Sequence, residues 1–231
     1  MPDPISWSYA WPYFAAAFVL AFLLGSIPFG LLLTRAAGLG DIRAIGSGNI
    51  GATNVLRTGR KGLALATLLL DGGKGAAAVL IAWWVAGTEV TLIAALGVVL
   101  GHLFPPWLGF KGGKGVATML GVLLALSPWV GILVCLTWLL VAAITRFSSL
   151  AGLVSLAMGP VYAWILPLGF RLEELFQPGL GSLLFRGEPK LIQIAALLAL
   201  LAWLRHHRNI ARLLRGEEPR IGQHRAPAGP N

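Results

Sequence analysis

Long apolar stretches separated by short polar loops constrain the fold of this chain more than any other feature. A helix needs about 20 apolar residues to cross the hydrocarbon core of a bilayer, with about 17 as the lower limit. Four stretches with at most one charged side chain each stand out: residues 11–33, 88–108, 150–170 and 191–204. Because lipid cannot hydrogen-bond the backbone, such spans are helical. The pattern predicts an all-α transmembrane bundle, built as a single domain over residues 1–231.

Charge and cysteine content exclude several other classes of protein. Only 12% of the residues are charged, whereas a soluble domain carries about 25%. The net charge of +9 is typical of nucleic-acid binding, but the basic residues lie between apolar stretches rather than along one soluble face. The lone Cys135 lies in an apolar stretch, which excludes a disulfide framework and indicates a small buried hydrophobic residue.

Two further stretches leave the number of spans open. Residues 63–86 can cross once, although Asp71 and Lys74 lie at the centre. Residues 116–145 are long for one span and short for two, and Ser127-Pro128 lies in the middle. Proline lacks an N–H donor and disfavours helix at the preceding residue, so a hairpin of two short helices is plausible there.

The distribution of basic residues favours two crossings by residues 116–145, and therefore seven spans. In that arrangement 15 of the 18 Lys and Arg residues share one side, all except Arg171, Arg186 and Lys190. The positive-inside rule makes this side cytoplasmic and the N-terminus external. A single crossing would place the basic tail opposite the two glycine-rich loops.

Asp71 and Lys74 form an ionisable pair at membrane depth, which is costly and marks a functional site by default. They could equally pair with each other, three residues apart on a helix, as a structural device. The segment around them, DGGKGAAA at 71–78, resembles KGGKGVAT at 111–118. This similarity could reflect an internal duplication or only the Gly and Ala richness of membrane helices.

The first candidate site is the polar segment 46–57. Its glycines allow backbone N–H groups to converge on an anion, and its small polar side chains add donors. Arg57 supplies a forked cation suited to a phosphate or carboxylate. The alternative is a simple glycine-rich turn between helices. The candidate substrate-binding residues besides Arg57 are Gly46, Ser47, Gly48, Asn49 and Thr53.

The second candidate site is the loop 110–118, where a glycine-rich segment runs into a helix start. Such a loop binds anions through its N–H groups and the helix dipole. It is not a P-loop, because Leu108 stands where the first glycine belongs. The lysines could also be interfacial residues that extend towards water. The candidate residues are Lys111, Gly112, Gly113, Lys114 and Gly115.

Two smaller polar clusters follow. Arg146, Ser148 and Ser149 form a basic turn, which could also be a helix cap with one cytoplasmic charge. His206 and Asn209 lie on one stripe of a predicted helix, three residues apart. Anionic lipid would explain the neighbouring arginines, but it explains the histidines and Asn209 less well.

These clusters, in this order, resemble the PlsY family of bacterial acyl-phosphate:glycerol-3-phosphate acyltransferases. The similar segments are GSGNIGATNVLR at 46–57, GHLFPPWLGFKGGKGVAT at 101–118 and HRNIARLLRGEE at 207–218, with weaker matches GSIPFG at 25–30 and TRFSSLAG at 145–152. The resemblance implies transfer of an acyl chain from acyl phosphate to glycerol-3-phosphate, giving lysophosphatidic acid. It implies a multi-pass protein of the bacterial inner membrane whose active site faces the cytoplasm, with no cofactor, metal or obligate protein partner.

The resemblance also assigns roles to individual residues. It implies that Ser47, Arg57, His206 and Asn209 are catalytic, that the loop 111–115 binds glycerol-3-phosphate, and that Glu217 is a more structural acid. The H-x-x-N spacing favours His206 over His207. Whether a histidine or the donor phosphate accepts the hydroxyl proton stays open.

The alternative function is a transporter or flippase for a phosphorylated solute. Broken helices and ionisable groups at membrane depth are typical of transporters. The candidate polar groups gather at one interface rather than at the midplane, which favours the enzyme. No H-x-x-x-x-D acyltransferase box follows any of the four histidines.

Overall fold

A computed structural model describes residues 7–166 and 189–222, and these residues form helices and loops without a strand. Arg171, Arg186 and the end of the stretch 150–170 lie outside the described residues. The helices are α1 (Trp7–Gly25), α2 (Phe29–Ala36), α3 (Ala52–Leu56), α4 (Lys61–Leu103), α5 (Val116–Leu126), α6 (Pro128–Thr145), α7 (Ser148–Ile165), α8 (Pro189–Arg205) and α9 (His207–Leu214). Short 3₁₀ turns occur at Ile42–Ala44 and Pro106–Leu108.

Four segments of the described chain are long and apolar enough to cross a membrane: Tyr9–Ala36, Lys61–Leu108, Pro128–Thr145 and Ser148–Ile165. Their outer faces carry exposed leucine, isoleucine, valine and tryptophan side chains, as expected where lipid is the solvent. The predicted all-α membrane fold is therefore confirmed.

The helix α4 is two helices joined at a sharp break. Gly87 adopts φ 75° and ψ −168°, a conformation that favours glycine, and it separates residues 61–86 from residues 88–103. The second part packs closely on α1, where a Cβ at Gly101 would overlap the backbone of Phe22. Small residues at such crossings are the usual means by which membrane helices approach each other.

The helix break expected at Ser127-Pro128 is present. Ser127 is extended, with φ −153° and ψ 100°, and Pro128 is the first residue of α6. Gly131 packs against the backbone of Leu124, so α5 and α6 run antiparallel as a hairpin. Proline at the first helical position costs no hydrogen bond, which explains why the chain turns here.

Asp71 and Lys74 are paired with each other inside a continuous helix. Lys74 Nζ lies 2.7 Å from Asp71 Oδ1 and donates to the backbone oxygen of Ile27 at 2.8 Å. The exposed fractions are 2% for Asp71 and 4% for Lys74. The pair therefore ties α4 to the link between α1 and α2. The mutual pairing, one of the two interpretations of the sequence, is therefore present.

The glycines beside this pair allow α5 to pack on α4. A Cβ at Gly121 would overlap the backbone oxygen of Gly72, and a Cβ at Gly75 would overlap that of Thr118. The segment 71–78 is thus helix interior, whereas 111–118 is a loop followed by a helix start. The two similar segments have different local structures.

The contact between α4 and α5 generates a stability prediction. Gly121→Ala should lower the thermal unfolding midpoint, because the methyl group meets the Gly72 backbone and overpacking costs about 1–3 kcal/mol. Gly73→Ala is the matched control, since a Cβ at Gly73 has nothing within 4 Å. Equal unfolding midpoints for the two variants in detergent would contradict this packing.

Candidate active site

The four polar clusters of the sequence converge on one cavity of about 310 Å³. It lies between the loop before α3, the start of α5, the start of α7 and the junction of α8 with α9. Ten of the sequence-predicted residues line it: Ser47, Asn49, Thr53, Arg57, Lys114, Gly115, Ser148, Ser149, His206 and Asn209. Gly46, Gly48, Lys111, Gly112, Gly113 and Arg146 do not line it.

The loop 46–51 is folded around the side chain of Asn54, which sequence reasoning did not single out. Asn54 Nδ2 donates to the backbone oxygens of Ile42, Ile45 and Asn49 at 3.0, 3.0 and 2.8 Å. Asn54 Oδ1 accepts from the Ser47 N–H at 3.0 Å. Gly46 has φ 58°, and a Cβ there would meet Asn54 Oδ1 at 2.5 Å. Asn54 therefore sets the position of Ser47.

Arg57 ends α3 and extends along the same loop. Its Nη1 lies 3.4 Å from Asn54 Oδ1, a long hydrogen bond that leads the guanidinium into the cavity. One buried amide thus positions both the hydroxyl and the arginine predicted from the first cluster.

The glycine-rich loop does not offer the amide groups that its sequence indicates. The Gly112 N–H donates to the Leu103 oxygen, and the Gly113 N–H donates to the His102 oxygen, both at 3.1 Å. These bonds cap the C-terminal end of α4. The N–H groups of Gly112 and Gly113 are thus already bonded within the protein, and contact of these two glycines with substrate stays a prediction.

Lys114 and the first turn of α5 are the parts of this segment that reach the cavity. Gly115 precedes the helix with φ 78°, and Val116 and Ala117 line the cavity behind it. The first N–H groups of a helix have no partner within the helix, and the helix dipole is positive there. Lys111 is exposed at the protein surface.

The junction of α8 and α9 contributes the histidine and the amide. His206 is 2% exposed and lines the cavity, whereas His207 is exposed. His206 Nδ1 lies 2.7 Å from the Ala202 backbone oxygen. Since a carbonyl only accepts, Nδ1 carries the hydrogen, and Nε2 keeps its lone pair. The H-x-x-N spacing selected the histidine that lines the cavity.

Glu218, not Glu217, is the acid of this cluster. Asn209 Nδ2 donates to Glu218 Oε1 at 2.6 Å, and Arg212 Nε donates to Oε2 at 2.7 Å. Glu217 is exposed and pairs with Arg215. The structural role that the family resemblance gave to Glu217 therefore falls one residue later. Glu217 and Glu218 are adjacent in the sequence, and the turn of the C-terminal tail places only Glu218 against Asn209 and Arg212.

Hydrogen bonds keep Glu218 ionised. Burial acts to raise the pKa of Glu218, but the surrounding Ser149, Asn209 and Arg212 outweigh it and lower the pKa. Ser149 Oγ is buried beside the carboxylate without a hydrogen bond of normal geometry to any described residue.

Positive charge exceeds negative charge at the polar end of the cavity. Burial lowers the pKa of Lys114 to about 8; Arg212, Arg57 and Arg205 act in the same direction, and Glu218 opposes them. A cation surrounded by other cations is stabilised when an anion enters. The arrangement is therefore suited to phosphate or carboxylate.

His206 is neutral at pH 7 in this environment. Burial, followed by the charge of Lys114, lowers the pKa of His206 to about 4. It can accept a hydrogen bond at Nε2, but it is a weak base.

Arg146 lies outside the cavity and holds the tail. Its backbone oxygen accepts from the Ile221 N–H at 2.7 Å, and its Nη2 donates to the Ile221 oxygen at 3.3 Å. Arg146 lies at an exposed turn, where its backbone φ is 61°. Direct contact between Arg146 and substrate stays a prediction.

The opposite end of the cavity is apolar and opens at the outer, apolar surface of the bundle. Leu68 of α4 and Leu139 of α6 line it while 44% and 58% exposed on the outer surface of the bundle. Leu120, Cys135 and Trp138 complete this end. The cavity thus joins a cationic head site to a lateral apolar opening, which sequence reasoning did not identify.

A buried pair lies between the two ends. His102 Nδ1 is 3.6 Å from Asp71 Oδ1, and both residues line the cavity. No cluster of three or more potential metal-ligating His, Cys, Asp or Glu residues occurs in residues 7–166 and 189–222.

Comparisons with known proteins agree along nearly the whole chain. The profile of a family described as Glycerol-3-phosphate acyltransferase matches residues 15–216. The glycerol-3-phosphate acyltransferase of Rhodospirillum rubrum is 57% identical over 209 residues, covering 87% of this chain and 88% of that protein. That of Paramagnetospirillum magneticum is 58% identical over 207 residues, covering 90% and 93%.

Two crystal structures of PlsY, an integral membrane glycerol 3-phosphate acyltransferase, have the same fold. The glycerol 3-phosphate form matches with a TM-score of 0.75 and 36% identity, over 90% of this chain and 96% of that chain. The lysophosphatidic acid form matches with a TM-score of 0.74 and 34% identity, over 90% and 95%. This chain therefore belongs to the glycerol-3-phosphate acyltransferase family.

Proposed function

We propose that this protein transfers an acyl chain from acyl phosphate to glycerol-3-phosphate, giving lysophosphatidic acid and inorganic phosphate. The observation that carries the proposal is the cavity itself, which is cationic at one end and apolar and open to lipid at the other. A long-chain acyl phosphate has the complementary form, an anionic head on an apolar chain. Glycerol-3-phosphate supplies a second phosphate for the same cationic end.

Arg57 and Lys114 offset the repulsion between the two phosphates. Bringing two anions together is unfavourable unless fixed cations neutralise them, and holding both in one site converts a bimolecular step into a unimolecular one. The fork of Arg57 suits the phosphate whose charge shifts during transfer, and Ser47 lies beside it as a small donor. We assign Lys114, with the first turn of α5, to the phosphate of glycerol-3-phosphate.

The transfer needs no separate activation of the acyl group, because an acyl phosphate is a mixed anhydride. The hydroxyl oxygen of glycerol-3-phosphate forms a bond to the acyl carbon, and the bond from that carbon to the phosphate oxygen breaks. Cations placed in advance at the leaving phosphate stabilise the charge that develops. The hydroxyl proton ends on the released phosphate.

The environment of His206 favours the donor phosphate as the proton acceptor. A base with a pKa of about 4 takes a proton poorly near pH 7. We infer that His206 accepts a hydrogen bond at Nε2 and orients a hydroxyl group. Asn209 donates to Glu218 and holds this carboxylate at the cavity surface.

We propose that the chain crosses the bacterial inner membrane seven times, with the cavity on the cytoplasmic side and the N-terminus external. The two parts of α4, the hairpin of α5 and α6, and helices α1, α7 and α8 would supply the crossings. Lys190 pairs with Glu89 beside the Gly87 break, which supports a shared end for α8 and that break. This end carries few basic residues, in keeping with the positive-inside rule.

The topology can be tested by cysteine labelling of spheroplasts in a Cys135→Ala background. Thr88→Cys should react with an impermeant thiol reagent, whereas Ala37→Cys and Leu214→Cys should react only after permeabilisation. All three positions are exposed at the protein surface. Labelling of Ala37→Cys and Leu214→Cys from opposite sides would contradict the even number of crossings that the proposed seven spans place between them.

Donor choice is the direct test of the reaction. Purified protein in detergent should convert labelled glycerol-3-phosphate with palmitoyl phosphate and show no turnover above background with palmitoyl coenzyme A. The reason is that a thioester brings no phosphate next to the carbonyl for Arg57 to bind. Comparable turnover with the thioester, in a preparation free of enzymes that make acyl phosphate, would overturn the proposal.

The role of Arg57 predicts a defect in the chemical step. Arg57→Ala should lower kcat by roughly 10²-fold or more, the scale of losing one electrostatic stabiliser. Arg57→Lys should recover only part of the loss, because a point charge does not reproduce the fork. The exposed Arg60→Ala removes a nearby charge outside the cavity and is the control. A change in KM alone for Arg57→Ala would contradict this assignment.

A further inference from the structure

Arg205, the last residue of α8, holds the glycine-rich loop from the side away from the cavity. Its Nη2 donates to the backbone oxygens of Gly112 and Gly113 at 3.1 and 3.2 Å. Its Nε donates to the Gly113 oxygen at 3.3 Å. Arg205 does not line the cavity, although its charge acts on Lys114.

These bonds restrain the backbone on both sides of Gly112 and Gly113. The N–H groups of Gly112 and Gly113 already donate to the end of α4, and Arg205 binds their carbonyl oxygens. The peptide group between the two glycines therefore has both its C=O and its N–H fixed. Lys114, the next residue, is the first of the loop to line the cavity.

The orientation matters because carbonyl oxygens repel a phosphate. With the Gly112 and Gly113 oxygens held by a guanidinium, their negative ends face a cation rather than a bound anion. The loop has little room to adopt another position. A Cβ at Gly113 would overlap His102 Nε2, and a Cβ at Gly112 would overlap the His102 oxygen.

An arginine is specifically suited to this position. Its planar fork reaches two carbonyl groups at once, which a lysine cannot do in the same geometry. The guanidinium carbon also lies 5.3 Å from the centre of the Phe104 ring, a cation–π contact that restricts its orientation.

Arg205 and His206 are adjacent at the end of α8, and each contacts a different part of the site. The first residue fixes the loop that precedes Lys114, and the second lines the cavity. The junction of α8 with α9 thereby sets the separation between Lys114 and His206.

We propose that Arg205 is a positioning residue for glycerol-3-phosphate: it binds the carbonyl groups of Gly112 and Gly113 so that Lys114 and the start of α5 face the phosphate. The inference rests on the proposed function, in which that segment binds glycerol-3-phosphate. It predicts a defect in binding rather than in the chemical step, because Arg205 does not contact the reacting atoms.

The test compares Arg205→Ala and Arg205→Lys with the wild type in two measurements. Calorimetry in detergent should give a glycerol-3-phosphate Kd raised by about tenfold in Arg205→Ala, the scale of one lost charge-assisted hydrogen bond. The Kd of Arg205→Lys should lie between those of the wild type and Arg205→Ala. Steady-state kinetics at saturating palmitoyl phosphate should show the same rise in KM while kcat stays within about threefold of wild type.

Arg208→Ala is the control, since it removes the exposed neighbouring positive charge without touching the loop carbonyls. Arg208→Ala should leave the glycerol-3-phosphate Kd unchanged. A rise in Kd equal to that of Arg205→Ala would overturn the proposal, because the loss of any nearby positive charge would then explain the effect. A wild-type Kd in both Arg205 variants would also overturn it.

Two further outcomes separate a binding role from a purely structural role. A fall in kcat together with a lowered unfolding midpoint in both Arg205 variants would assign Arg205 to stability alone and overturn the proposal. If Arg205→Ala does not fold, the glycerol-3-phosphate Kd of Arg205→Lys is the deciding measurement, provided that this variant has the wild-type unfolding midpoint. Calorimetry uses no acyl donor, so it still decides the role of Arg205 if acyl phosphate proves to be the wrong donor. Wild-type protein that binds no glycerol-3-phosphate would overturn the inference and the proposed function together.

Discussion

The structure depends on holding several cations close together at the edge of an apolar bundle. Burial lowers the pKa of Lys114, and neighbouring arginines lower it further, so this cluster is electrostatically unfavourable when the cavity is empty. The surrounding fold must therefore fix these side chains through neutral or paired contacts. Asn54 does this for Arg57, and Glu218 does it for Arg212. A phosphate placed among these cations would offset their repulsion.

Glycine has two different uses in this protein, and the sequence does not distinguish them. At Gly72 and Gly121 the missing side chains allow two helix backbones to touch. At Gly112 and Gly113 they allow a loop to fold back over the end of α4, where its N–H groups cap the helix. The sequence predicted an anion-binding loop, and contact of these glycines with substrate stays a prediction. In the structure their N–H groups donate to α4, because helix ends also have unpaired carbonyl oxygens, and a glycine-rich loop can satisfy them.

Sequence patterns predicted most of the architecture and the convergence of the clusters. Apolar length predicted the helices, Ser127-Pro128 predicted the hairpin, and the H-x-x-N spacing selected the buried His206. What the sequence did not reveal depends on contacts between distant segments. The choice between Glu217 and Glu218 depends on how the tail turns, and the lateral opening depends on Leu68 of α4 and Leu139 of α6 lining one cavity. Asp71 and Lys74 suggested a transporter, but they pair with each other, and Asp71 lines the same cavity as the other candidate residues.

The two ends of the cavity impose opposite requirements on the protein. The cationic end must lie near water to admit a small hydrophilic acceptor, whereas the apolar end must open to lipid for a long acyl chain. A position at the membrane interface is the only depth that meets both requirements, because charged groups are costly in the bilayer centre. Short α5 is compatible with this position: its 11 residues begin at Val116, directly after Gly115 in the cavity, and end at Leu126, directly before the Ser127 turn. The brevity of α5, which made the span count ambiguous in the sequence, therefore keeps the cavity and the Ser127 turn only about three helical turns apart.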